Sequence, residues 1–120
     1  MDSSEKDLEF IRKTLEHERF EVMESLTAED ALDLLEREEV NLAICSVHMS
    51  GMSGTEFLNE LHSWDLDVPV ILIGEYGKEK EWLDALHTEA STFVSKPLRR
   101  ETLLKAVHKA FQEKKELLNY

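Results

Sequence analysis

The chain has 120 residues, which suits one domain around one core. Hydrophobic residues make up 42% and charged residues 33%, the balance of a soluble globular chain. With 14 Lys+Arg against 26 Asp+Glu the net charge is −12, so nucleic acid and anionic membrane are repelled and neither is an expected partner.

The longest apolar stretch, residues 68–73, is broken by Pro69 and falls far short of the about 20 residues that cross a bilayer. The opening Met-Asp-Ser-Ser-Glu-Lys is polar and acidic, unlike a signal peptide. The single cysteine, Cys45, excludes an internal disulfide and fits a reducing compartment; the expected location is cytoplasmic.

In chain order, Ser4 can cap a helix, with Asp7 as a capping-box-like partner. Leu8, Ile11 and Leu15 recur at helical spacing and predict a helix over residues 4–18. Phe20, Val22 and their polar neighbours alternate, which predicts a strand over 20–24. Thr27 caps a second helix, with Asp30 three residues on and Ala31, Leu34 and Leu35 facing inward. Leu42 to Cys45 is a short uncharged apolar run, the mark of a strand buried on both faces, and it ends at Ser46. A glycine loop leads to a helix near 55–63. Residues 68–73 form another buried strand ending at Gly74. A helix is expected over 78–88, with Trp82, Leu83 and Leu86 inward. Phe93 and Val94 centre a short strand over 91–95, and Pro97 opens a last helix over about 99–118.

The order α-β-α-β-α-β-α-β-α implies a parallel sheet with helices on both faces. Right-handed crossovers make this a doubly wound α/β sandwich, a single domain over residues 1–120 with four recognisable strands and five helices. Chemistry in such sheets collects at the carboxyl ends of the strands, where Ser46, Gly74 and Lys96 stand.

Residues 41–54 read Asn-Leu-Ala-Ile-Cys-Ser-Val-His-Met-Ser-Gly-Met-Ser-Gly. This segment resembles the phosphoacceptor strand and loop of receiver domains in bacterial two-component response regulators, a hydrophobic strand ending in Asp followed by x-x-Met-Pro-x-Met-x-Gly. Met49, Met52 and Gly54 match the loop, while Ser46 replaces the acceptor Asp and Ser50 the proline. Lys96-Pro97 matches a lysine-proline signature at the end of the family's fifth strand, and Phe93 stands at its aromatic switch position. The resemblance covers nearly the whole chain and implies a flavodoxin-like fold.

The resemblance also implies what the site does. An Asp accepts a phosphoryl group from phosphohistidine, Mg²⁺ on an acidic pair neutralises the charge, a Lys holds one phosphoryl oxygen and a Thr or Ser another. In this sequence Ser46 replaces the acceptor, and Gly74 stands where the hydroxyl is expected. The acidic pair falls near Asp2 and Ser3, leaving Asp2 as its one remnant carboxylate. No Mg²⁺ binding, no other metal or cofactor and no catalytic residue are therefore expected. Loss of the Asp leaves Lys96 in need of a partner, for which Glu75 is the candidate, the alternative being a solvent-facing lysine.

The resemblance further implies a strand before the first helix, and only Met1-Asp2-Ser3 precede that helix here. In a sheet ordered 2-1-3-4-5 this strand is interior. Its neighbours then pair directly, another chain supplies a strand, or the natural start lies upstream.

The reading that follows is a degenerate receiver: a signalling and interaction module, not an enzyme, acting through protein contacts. Its partner is a second copy or another protein, with a histidine kinase among the candidates. The expected interaction face comprises Trp82, Phe93, Val107 and Phe111. One rival keeps residual phosphotransfer on Ser46 or His48. A Ser46–His48 catalytic pair is disfavoured because no carboxylate lies nearby in sequence to orient the imidazole. Another rival binds a small anion or nucleotide at the carboxyl edge of the sheet. The five histidines lack zinc-ligand spacing, Cys45 reads as inert core, and Gly51 and Gly54 lack the Gly-Lys-Ser/Thr of a phosphate loop.

Overall fold

The structure is a computed structural model that describes residues 4–46, 56, 59–60, 63, 68–75, 77 and 92–118. Helix α1 (Glu5–His17) starts where the sequence indicates: Ser4 is its N-cap, and Ser4 Oγ accepts from the Asp7 N–H at 3.3 Å. Leu8, Ile11 and Leu15 are its buried stripe. The helix ends in a Schellman-type turn. Phe20 N–H donates to the Leu15 carbonyl and Arg19 N–H to that of Glu16, with Arg19 in the left-handed region at φ 68°. That turn brings Phe20 back onto the core, stacked on Phe111 with ring centroids 5.7 Å apart.

Helix α2 (Ala28–Arg37) is capped by Thr27, whose Oγ1 accepts from the Asp30 N–H at 3.2 Å. Glu29 and Asp30 in its first turn suit the positive end of the helix dipole, and Arg37 suits the other end. Three parallel strands follow: β1 (Ala43–Ser46), β2 (Val70–Glu75) and β3 (Thr92–Lys96), in spatial order β1-β2-β3. The register sets Ser46 beside Ile73, Gly74 beside Ser95 and Glu75 beside Lys96. Helix α3 (Arg100–Leu118) closes the described chain.

Period-two alternation sorts the strands between two cores. Ile44, Ile71, Ile73 and Val94 pack with α1 and with Leu103 and Val107 of α3. Cys45, Val70 and Leu72 pack on the opposite face with Ala28 and Ala31 of α2. The sheet is thus the middle layer of a three-layer sandwich, and the doubly wound α/β reading of the sequence holds. β2 is buried on both sides from Val70 to Gly74, as its unbroken apolar sequence requires.

Residues 20–24 differ from expectation. They join no ladder among the described residues, although their side chains alternate as a strand's would. Phe20 and Val22 lean on the core, and Glu21 and Met23 face outward. Side-chain alternation records which way residues face; a strand also needs a neighbouring backbone, and periodicity does not supply one. Three strands and three helices are defined in full among the described residues. In the predicted helix over 55–63, the described positions Glu56, Asn59, Glu60 and Ser63 are helical. The predicted helix over 78–88, with Trp82, lies outside the described residues.

Candidate functional site

The carboxyl ends of the three strands bring Ser46, Gly74, Glu75 and Lys96 to one edge of the sheet. Ser46 is buried at 4% exposure, two residues after Ile44 and so on the face covered by α1 and α3. The same alternation carries Lys96, two residues after Val94, to that face. There it meets the first turn of α1, and Lys96 Nζ lies 2.7 Å from Asp7 Oδ2.

This contact corrects the sequence reading, which sought the lysine's carboxylate in Glu75. Glu75 is the neighbour of Lys96 across the ladder, with an exposed side chain. A carboxylate on the ammonium is that of Asp7, third residue of the capped turn of α1. Sequence reasoning gave Asp7 only a capping role. What could have found it is chain order: the N-terminus of α1 must sit over the carboxyl ends of the strands it packs on, and Asp7 is an acidic residue in that first turn. The ammonium also gains from being a donor in a charge-assisted hydrogen bond.

Gly74 is buried and offers no hydroxyl to this edge. Phe93 lies on the other face, half-buried against the α2 core. Val107, expected on an interaction face, is fully buried in the core between α3 and the sheet, so it presents nothing to a partner. Phe111 is half-buried, and its ring is engaged by Phe20. Asp2, His48 and Trp82 lie outside the described residues.

A hard divalent cation wants several oxygen ligands including carboxylates. Among the described residues no three His, Cys, Asp or Glu side chains converge to hold a metal ion. Asp7 is committed to Lys96, and Ser46 brings a neutral hydroxyl. Among the described residues no helix is long and apolar enough to cross a membrane.

Comparison with known proteins agrees with this architecture. The profile described as the response regulator receiver domain matches residues 1–108. The chain is 35% identical over 114 residues to the heme response regulator HssR of Staphylococcus saprophyticus, an alignment covering 92% of this chain and 50% of that protein. It is 33% identical over 87 residues to a probable transcriptional regulator, ycf29, of Cyanophora paradoxa, covering 71% of this chain and 41% of the relative. The chain thus spans about half the length, or less, of these curated relatives. Among solved structures, the receiver domain of NtrX from Brucella abortus superposes with a TM-score of 0.85 at 20% identity, covering 92% of this chain and 94% of that one. The signal receiver domain of a putative Luxo repressor from Vibrio parahaemolyticus gives 0.86 at 20% identity, covering 99% and 93%. Likenesses at that identity speak for the fold, and the family match for the lineage: the chain belongs to the response regulator receiver domain family.

Proposed function

We propose that this receiver domain is a signalling module working through protein contacts, and that its strand-end site takes no phosphoryl group and binds no Mg²⁺. The observation that carries the reading is the pair at the edge of the sheet. Lys96, the residue matched to the family's phosphoryl-binding lysine, is held by Asp7, while the acceptor position is the buried hydroxyl of Ser46. A serine hydroxyl is a poor nucleophile without a base, and a phosphoryl group arriving here would have to displace a carboxylate from its cation. The net charge of −12 favours a protein partner over nucleic acid for this domain itself. A histidine kinase, another signalling protein or a second copy would meet that description, and the cytoplasm is the compartment that fits.

Nuclear magnetic resonance titration tests this reading. Mg²⁺ followed by inorganic phosphate should leave the amide signals of Ser46, Gly74 and Lys96 in place at millimolar concentrations. The Ser46→Asp variant should respond weakly to Mg²⁺, since it restores one carboxylate of several. A saturable shift at these residues in the unaltered chain would refute the proposal and favour an anion- or phosphate-binding edge.

A further inference from the structure

The surface charges of α1 are largely settled within the chain: Lys13 pairs with Glu9, Arg12 with Glu24 and Asp7 with Lys96. The outward faces of α2 and α3 differ. Glu29, Asp33 and Arg37 of α2 are exposed, as are Glu101, Lys105 and Lys109 of α3. Among the described residues none of these six side chains forms an ion pair. Arg37 donates from Nε to the backbone carbonyl of Asp33 at 3.4 Å and leaves its charge uncompensated. Both triads have the spacing i, i+4, i+8, so each lies as one ridge along its helix. Along the chain the α2 ridge reads negative, negative, positive, and the α3 ridge reads negative, positive, positive.

Set side by side and antiparallel, the two ridges are opposite in charge at every position. Glu29 meets Lys109, Asp33 meets Lys105 and Arg37 meets Glu101. Set parallel, they bring Glu29 to Glu101 and Arg37 to Lys109, two like-charge pairs. Either ridge laid antiparallel on its own copy brings Asp33 to Asp33, or Lys105 to Lys105, at the centre. Ridges of this four-residue spacing are also the ones that interdigitate in the commonest class of helix packing. The two ridges cannot meet within one chain, because α2 and α3 cover opposite faces of the sheet. Between copies they can. The net charge of −12 opposes association, but at about 0.15 M salt exposed charges are screened beyond about 8 Å, so the touching pairs dominate.

We propose that these ridges form a contact between copies of this chain, with α2 of one copy lying antiparallel on α3 of the next. Charge order sets both the direction and the register of the contact. It joins two different surfaces, and each copy that uses one of them keeps the other free on its opposite face. Association therefore continues copy upon copy and does not stop at a two-fold dimer. Exposed ion pairs are individually weak, so the contact forms at high protein concentration and low salt. It shares no residue with the Ser46–Lys96 edge. Phosphorylation of the chain would leave this proposal standing, and a chain that stays monomeric would leave the phosphorylation reading standing.

Sedimentation equilibrium of the full 120-residue chain, at about 0.05 M and about 0.5 M salt, tests this. At low salt and rising concentration the average mass should climb past twice the 13.9 kDa of one chain, and at high salt it should return to 13.9 kDa. Asp33→Lys and Lys105→Glu, each alone, turn the central attraction into a repulsion and should weaken association at least about fivefold. The Asp33→Lys/Lys105→Glu double variant re-forms that pair with its charges exchanged and should associate as the unaltered chain does. Both positions are exposed, and recovery in the double variant is a result that loss of folding cannot produce. A mass of 13.9 kDa at every concentration at low salt overturns the proposal, and so does a plateau at two copies, the mark of a two-fold contact. Single variants that associate like the unaltered chain, or a double variant that fails to recover, also overturn it.

Discussion

Replacing Asp7 with Ala removes the carboxylate that holds Lys96 and should lower stability by about 1–2 kcal/mol. The figure follows from where the pair sits. The Lys96 and Asp7 side chains are 33% and 26% exposed, between surface and interior, and the contact is 2.7 Å. Exposed ion pairs are worth about 0–1 kcal/mol and removing one partner of a buried pair costs about 3–5, so a partly buried hydrogen-bonded pair falls between. Asp7 also sits at the positive end of α1, where a carboxylate contributes about 0.3–1 kcal/mol through the helix dipole alone. Glu5, in the same first turn but exposed, isolates that second contribution: Glu5→Ala should cost about 0.5 kcal/mol or less. The assay is urea unfolding of the single variants, Lys96→Met and the Asp7→Ala/Lys96→Met double variant. The double-mutant cycle should return a coupling of about 0.5–1.5 kcal/mol. A coupling below about 0.3 kcal/mol, with Asp7→Ala no more damaging than Glu5→Ala, would refute the claim that Asp7 is the working partner of Lys96.

Three further outcomes are expected. Arg19→Gly should raise stability by about 0.5–1 kcal/mol, because Arg19 occupies the left-handed region at a helix C-terminus where glycine carries no steric cost; unchanged or lower stability in urea unfolding would contradict this. Leu103→Ala should cost about 2–5 kcal/mol, since the side chain is fully buried between α3 and the sheet, and a loss below about 1 kcal/mol would mean that this core is loosely packed. The Glu9 carboxyl is held below its ordinary 4.5 by the hydrogen bond and positive charge of Lys13, 2.8 Å away. Because its pKa is depressed in the folded state, its small contribution is present above the ordinary carboxylate range and is lost as pH falls through the folded value. Acid titration followed by circular dichroism should therefore show unfolding of Glu9→Gln to depend slightly less on pH than that of the unaltered chain, and high salt should erase the difference.

Much of the fold was legible in the sequence because the signals were local. The caps at Ser4 and Thr27, the buried stripe of α1 and the unbroken apolar run of β2 each depend on a few neighbouring residues, and each lies within one or two residues of where the sequence places it. What escaped the sequence was pairing across space. Residues 20–24 have the alternation of a strand and no ladder among the described residues. Val107 has the apolar spacing that either a core or a docking face would show, and only the packing of α3 on the sheet separates the two. The partner of Lys96 was missed for the same reason: Glu75 is near in the strand ladder, while Asp7 is 89 residues away in sequence (96 − 7) and arrives through the docking of α1. The family likeness was legible because its marks, the loop after Ser46 and Lys96-Pro97, are short contiguous motifs.

Acetyl phosphate with Mg²⁺ supplies the phosphoryl group without a partner protein, so the intact mass of the treated chain tests the central claim most directly. The mass should remain that of the untreated chain, because the position of the acceptor is a buried serine and the lysine beside the site is committed to Asp7. A stoichiometric gain of one phosphoryl group, lost on Ser46→Ala, would contradict it and would make this edge of the sheet a working phosphoacceptor.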